Sequence, residues 1–351
     1  MGAPADSMIS IGSDELQVTI NPRVGGTITK ITHLGIGLSV LGKVPWDAVD
    51  APIGGFSARD EMHWLSRYTG GWPLLFPNGG DACEVDGFFH GFHGEASVSP
   101  WRAAVSGTRV ALTRRFFSVP VEMHRELTVE GDLLIVRERL RMSGTRPLEV
   151  MWGHHPTFGS DLLAGDIEIT SGALKVTVDE AYDPAANPLV PGTVGDWPRV
   201  RGKDGPFDLS RPAAPMAAMA YLHDFKEAWA AIRRLDDAVA VALSWTIDRF
   251  PFAWLWCELG GTAVAPWHGR GRLIGIEPNT TRPANGLRDA RLCGSPLLHL
   301  KAGDEHSAEI RLHVFRPAGP ITPHQVVIRA DPTGGHDHRG TAESEFLIND
   351  P

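Results

Sequence analysis

The sequence predicts an all-β chain built as one large antiparallel sandwich. Period-two alternation of apolar and polar residues recurs along it. Turn-forming residues are dense, with 27 prolines and 39 glycines among 351 residues. Long amphipathic helical patterns are missing.

The alternation is clearest in three runs. In the first, Val121, Met123, Leu127 and Val129 share one face, with Glu122, His124, Glu126 and Thr128 on the other. In the next, Val136, Leu140 and Met142 oppose Ile135, Arg137, Arg139 and Arg141. Near the end, Ile310, Leu312 and Val314 oppose Glu309, Arg311 and His313. Successive strand side chains point to opposite faces, so each run reads as a half-buried strand. Further strands are expected over residues 16–20, 110–117, 148–152, 167–170, 238–246, 252–257 and 273–277. Turn signals separate them, among them Glu130-Gly131-Asp132, Ser143-Gly144, Gly260-Gly261 and Ala302-Gly303-Asp304. No composition shift marks a linker before residue 316, so residues 1–316 read as one domain. Residues 317–351, rich in Pro, Gly, His and acids, read as a surface arm or mobile tail.

Composition narrows the class. Hydrophobic residues make up 42% and charged residues 21%, the usage of an ordinary soluble globular protein. The chain is long enough to bury a core without covalent staples. A net charge of −9 argues against a nucleic-acid partner, which needs a basic face. Cys83, Cys257 and Cys293 form no CxxC pair, so neither a disulfide framework nor a cysteine zinc site is expected. The N-terminus lacks the basic stretch and apolar run of a secretory signal. No run reaches the ~18–20 apolar residues of a membrane helix. A cytoplasmic protein without a membrane partner is expected.

Three segments carry chemistry. The first runs from Gly70 to Asp81 (GGWPLLFPNGGD) and resumes at His90-Gly91-Phe92-His93-Gly94-Glu95. Aromatic faces of the Trp72 type bind the C–H faces of sugars. Amide, acid and imidazole groups such as Asn78, Asp81 and His93 bind hydroxyls, and glycines let backbone approach a ligand. A structural loop pinned by Trp and Phe is the alternative. The second segment is Gly153-His154-His155-Pro156-Thr157-Phe158, a strand entering a turn with two imidazoles. Adjacent strand residues face opposite ways, so one of the two is expected in a cleft and the other in core or solvent. In the third, Ile274-Gly275-Ile276-Glu277-Pro278, a carboxylate ends an apolar strand. It needs either a chemical task or an ion pair with a residue such as Arg282. Imidazoles with a carboxylate suit proton transfer near neutral pH. No GxSxG, phosphate loop or dinucleotide fingerprint is present.

In these segments the chain resembles the aldose 1-epimerase, or galactose mutarotase, family. The matching motifs are Gly70-Gly71-Trp72, Phe76-Pro77-Asn78, Gly80-Asp81, His93-Gly94-Glu95 with Trp101, His155-Pro156-Thr157-Phe158 and Ile276-Glu277-Pro278. Their order and separations match over about residues 10–316. The resemblance implies a large antiparallel β-supersandwich of the galactose mutarotase type with an open cleft. It implies interconversion of α and β sugar anomers without metal or organic cofactor. Glu277 would take the proton from the anomeric hydroxyl and His155 would protonate the ring oxygen, with His93 binding or sharing that task. Asn78, Asp81 and Trp72 would bind the sugar. The family's sugar-binding Arg has no counterpart between Gly71 and Phe76. Arg67 is the candidate replacement, and Asp224 is the candidate for its mid-domain acid. This departure leaves the identity of the sugar open.

Three rival readings stand beside that one. A non-catalytic sugar-binding protein could use the same fold. A metal enzyme could use His90, His93, His154 and His155. A phosphosugar enzyme would need basic residues at the cleft, and Arg137, Arg139 and Arg141 qualify only if their strand face is that cleft.

Overall fold

The Val121–Glu130 and Leu133–Met142 strands form the hairpin that the alternation predicts, in register from Val121 opposite Met142 to Glu130 opposite Leu133. Gly131 turns the chain at φ +58°, a conformation in which only glycine escapes the Cβ penalty. The inward face is apolar except at one place. Arg125 lies directly opposite Glu138, and both are buried. Arg125 Nε donates to Glu138 Oε1 at 2.6 Å, and Trp152 Nε1 donates to Glu138 Oε2 at 2.9 Å. Ile135, read as outward-facing, is buried as well.

This is a computed structural model, and it describes residues 8–49 and 53–327. Strand makes up 49% of the structure and helix 6%. The hairpin belongs to a 14-stranded antiparallel sheet among the described residues. From one edge its path is Leu74–Leu75, Gly153–His154, Leu273–Asn279, Phe252–Leu259, Met216–Arg234, Ala240–Trp245, Glu305–Phe315, Leu133–Met142, Val121–Glu130, Arg109–Arg115 and Arg102–Ser106. A four-stranded meander from Ile9–Gly12 through Leu38–Ser39 forms a second sheet. Its apolar residues, such as Leu16, Val18, Ile20 and Ile31, share one core with Val110, Leu112, Leu127 and Leu134 of the large sheet. Two sheets facing one apolar interior is the sandwich that the alternation implies.

The longest strand is Met216–Arg234, a run of 19 residues of which six are Ala and which no alternation signals. Its first half pairs with Phe252–Leu259 and its second with Ala240–Trp245, while Ile167–Val178 follows its other edge. Pairing along both edges overrides the weak strand propensity of its residues. Asp224 stands at φ +53° where the strand passes from one neighbour to the other.

Beyond residue 316 a short helix, Pro323–Val327, follows the last strand. Ile321 and Val326 are buried against Trp229, Ala231, Ala240 and Ala242. Residues 328–351, the remainder of the expected arm, lie outside the described residues.

Candidate active site

Glu277 lies on Leu273–Asn279, a strand buried at every position and flanked by Phe252–Leu259. Ile274 and Ile276 point into the main core. The alternation therefore turns Leu273, Gly275, Glu277 and Asn279 to the opposite face. Gly275 makes room for the carboxylate: a Cβ there would lie 2.2 Å from Glu277 Oε1. The carboxylate is 1% exposed, and its Oε1 has no hydrogen-bond partner. Burial pushes its pKa well above the usual carboxylate range.

The second segment divides its two imidazoles as the strand geometry requires. His154 turns into the core, where Trp72 Nε1 donates to its Nδ1 at 3.1 Å and its Nε2 lies 3.2 Å from Glu138. His155 turns the other way. Its Nε2 stands 3.7 Å from Glu277 Oε1, and burial lowers its pKa to about 4. Burial would raise the Glu138 carboxyl, but the Arg125 guanidinium and the hydrogen bonds from His154 and Trp152 outweigh it and hold that carboxyl at about 2.

His93 reaches the same place from the first segment. It adopts φ +58° between Phe92 and Gly94. Its backbone N–H donates to Gly80 O at 2.9 Å, and Gly80 N–H donates to its Nδ1, also at 2.9 Å. An Nδ1 that accepts a backbone N–H carries no proton, so the ring's hydrogen sits on Nε2. Burial, and then the neighbouring His155, keep the ring neutral by lowering its pKa well below the usual value. The His93 and His155 ring centroids are 5.1 Å apart.

His93, His155 and Glu277 thus meet in one cleft that opens to solvent. Its walls are aromatic: Trp64, Tyr68, Phe92, Trp254, Trp256 and Trp267. Trp64 stacks on Tyr68 at 4.3 Å, and Tyr68 donates its hydroxyl to Thr157, which donates onward to Gly71 O. Burial keeps the Tyr68 hydroxyl protonated by raising its pKa. Asp179 is also in the wall, fixed by the backbone N–H groups of Ala181 and Tyr182 and by the Tyr221 hydroxyl. The sequence reading named none of Trp64, Tyr68, Trp256, Trp267 or Asp179. The only signal for the aromatic wall was the number of tryptophans, 11.

The other expected sugar contacts are distributed differently. Asp81 lines the cleft, next to Gly80. Asn78 is fully buried, donates to Asp81 O and Gly91 O, and accepts from Leu287 N–H, so its amide shapes the loop from beneath. Trp72 is fully buried and occupied with His154. Arg67 lines a separate, tighter cavity with Asn21, Thr27 and Thr29. Asp224 is exposed on the long strand beside His223 and is not among the cleft residues. Arg282 does not pair with Glu277; its guanidinium lies over the Phe252 ring. The histidines of the metal reading occupy separate environments, with His154 in the core, His90 against Phe88, and His93 and His155 in the cleft. Among the described residues no group of three His, Cys, Asp or Glu side chains could hold a metal ion. The Arg137, Arg139 and Arg141 strip lies outside the cleft and pairs with Glu309 at 2.7 Å, Glu305 at 3.9 Å and Glu305 at 3.6 Å respectively.

No protein-family profile and no curated protein matches the chain. Solved structures do. The Slr1438 protein of Synechocystis sp. PCC 6803 is similar at TM-score 0.62 and 17% identity, over 89% of this chain and 96% of that one. An Escherichia coli K12 protein, provisionally assigned as an aldose 1-epimerase, is similar at TM-score 0.63 and 14% identity, over 89% and 99%. A galactose mutarotase-like protein of Lactobacillus casei ATCC 334 is similar at TM-score 0.59 and 16% identity, over 88% and 100%. At these identities the likeness is one of fold, and it spans nearly the whole of each partner: the chain has the galactose mutarotase-like fold.

Proposed function

We propose that the protein is an aldose 1-epimerase, opening and reclosing a sugar ring by proton transfer to interconvert its anomers. The observation that carries this reading is Glu277, a buried and unpartnered carboxylate facing two neutral imidazoles across an aromatic cleft. Such a carboxylate is a stronger base than one in water, because burial raises its proton affinity. The cleft walls offer apolar aromatic faces to the C–H side of a pyranose, and His93, His155, Glu277 and Asp81 offer polar groups to its hydroxyls.

The steps follow from the placement. Glu277 accepts the proton of the anomeric O1 hydroxyl as the C1–O1 bond becomes a carbonyl. The C1–O5 bond breaks, and O5 takes a proton from His155. Rotation about C1–C2 presents the other carbonyl face, and the same transfers in reverse close the ring. Glu277 and His155 together hold one proton, between an Oε1 and an Nε2 that are 3.7 Å apart. In the empty cleft burial places that proton on Glu277. A bound sugar, hydrogen-bonding to both groups, favours the working form with Glu277 ionised and His155 protonated. His93 offers an Nε2–H, fixed by its contact with Gly80, and so orients a sugar oxygen.

Cys83, Cys257 and Cys293 are free thiols, and no helix of the described residues is long and apolar enough to cross a membrane. A cytoplasmic site of action fits these thiols. Anomer exchange across a panel of reducing sugars, measured by NMR above the spontaneous background, tests the reading. Acceleration of no sugar in the panel would favour a non-catalytic sugar-binding protein instead.

A further inference from the structure

The cleft carries an unusual charge distribution. Four carboxylates line it, Glu61, Asp81, Asp179 and Glu277, and among the described residues no lysine or arginine does. Asp179 is satisfied by two backbone N–H groups and Tyr221. Glu61 and Asp81 carry no ion pair and no side-chain hydrogen bond among the described residues. Both residues are exposed at the surface of the cleft; the surrounding protein and then Asp81 raise the Glu61 pKa, and the surrounding protein and then Asp289 and Asp179 raise that of Asp81. Independently, Glu277 Oε1 and His155 Nδ1 are unpartnered polar atoms in the same cleft, on residues 1% and 7% exposed. The site is therefore built to receive a polar ligand, and its field disfavours an anion.

We propose that the cleft selects reducing sugars bearing an ammonium group, with Glu61 and Asp81 as the carboxylates that face it, over sugar phosphates and sugar acids. The inference rests on the anomerase reading and adds the substrate class. An ammonium relieves the repulsion among these carboxylates, whereas a phosphate or carboxylate adds to it and finds no guanidinium or lysine among the described lining residues to receive it. The aromatic wall adds to the preference, since a cation is attracted to the faces of rings such as Trp64 and Trp267. An organic ammonium fits better than a metal ion, because no three potential ligands among the described residues converge.

The test is calorimetric titration of the whole protein with glucosamine, glucose and glucose 6-phosphate, at a pH where the amine is protonated. At low salt the amino sugar is expected to bind about five- to tenfold tighter than glucose, and the phosphate more weakly than glucose. The ratio of amino sugar to glucose affinity should fall toward one in about 0.5 M salt, where the Debye length is a few ångströms. It should also fall in Glu61→Gln and Asp81→Asn. The salt series uses the unmodified protein, so it stands even where a variant folds poorly. An amino sugar that binds no tighter than glucose, or an advantage that survives both salt and substitution, overturns the selection. Anomer exchange is followed in parallel. Turnover without the preference removes the selection and leaves the anomerase reading. The preference without turnover removes the anomerase reading and supports the selection.

Discussion

His155 Nε2 and Glu277 Oε1 face each other across 3.7 Å in a site buried from water on every side but the cleft. Burial acts on the two groups in opposite directions, raising the carboxyl pKa and lowering the imidazole pKa to about 4. Between those values the pair holds one proton, and its titration belongs to the pair. Acid adds a second proton and removes the base. Alkali takes the only proton and removes the acid.

A bell-shaped profile of kcat/KM against pH is therefore expected. Its alkaline limb should report the last proton of the pair, at the raised value that burial gives Glu277. In Glu277→Gln that limb should disappear from the residual activity. A limb unchanged by the substitution would assign it to another group.

Stability should carry the same signature. The folded-state pKa of Glu277 lies above its unfolded value near 4.5, so the native chain binds this proton more tightly. Its stabilising effect is present below pH 4.5 and is lost as pH rises through the folded value. Glu277→Gln removes that loss. The variant should match wild type in Tm at low pH and exceed it increasingly as pH rises. His155 acts in the reverse sense: its folded pKa of about 4 lies below the ordinary 6.5, so stability falls as pH drops across that window. Thermal melts from pH 4 to 8 of Glu277→Gln and of His155→Asn separate the two contributions.

His93 gives a prediction about a tautomer. With Nδ1 accepting Gly80 N–H, nitrogen NMR should show Nδ1 unprotonated and Nε2 protonated through neutral pH. Gly80→Ala should break this arrangement. Gly80 stands at φ +78°, and a Cβ there would lie 1.6 Å from Ala284 O. The loop must shift, and a displaced His93 should lower kcat/KM by about 10²-fold, the typical consequence of an ångström's misplacement.

The buried Arg125–Glu138 pair supports the site from beneath, since Glu138 also meets Trp152 and His154. Arg125→Met leaves a buried carboxylate without its guanidinium and should destabilise the fold by about 3–5 kcal/mol in urea unfolding. Adding Glu138→Met should recover part of that loss, because no buried charge then remains.

What the sequence disclosed follows the physics of strands. Alternation disclosed Val121–Glu130, Leu133–Met142 and the closing Glu305–Phe315 because one face of each is buried and the other wet. It did not disclose Met216–Arg234, whose order comes from partners on both edges rather than from its own residues. Arg125 and Glu138 broke the alternation as charges, and only the register shows that they face each other. The motifs located His93, His155 and Glu277 because chemistry fixes those residue types. The aromatic wall was illegible: Trp64, Trp256 and Trp267 come from distant segments, and any large ring can cover a core as well as line a cleft. Trp72 and Asn78 show the converse, residues with sugar-binding chemistry whose polar atoms are used inside the fold.

The central claim is that Glu277 is the base of an anomerisation. The direct measurement is the exchange rate between α and β anomers, followed by NMR at equilibrium, for wild type and Glu277→Gln on a sugar that both are shown to bind. Gln keeps the shape and a hydrogen-bonding group but cannot take the proton. Catalysis, with spontaneous exchange subtracted, should fall by about 10²–10⁴-fold, the usual loss on removing a positioned acid or base. Affinity should change far less, because a general base acts on the transition state more than on the bound sugar. A variant that exchanges anomers as fast as wild type would contradict the account.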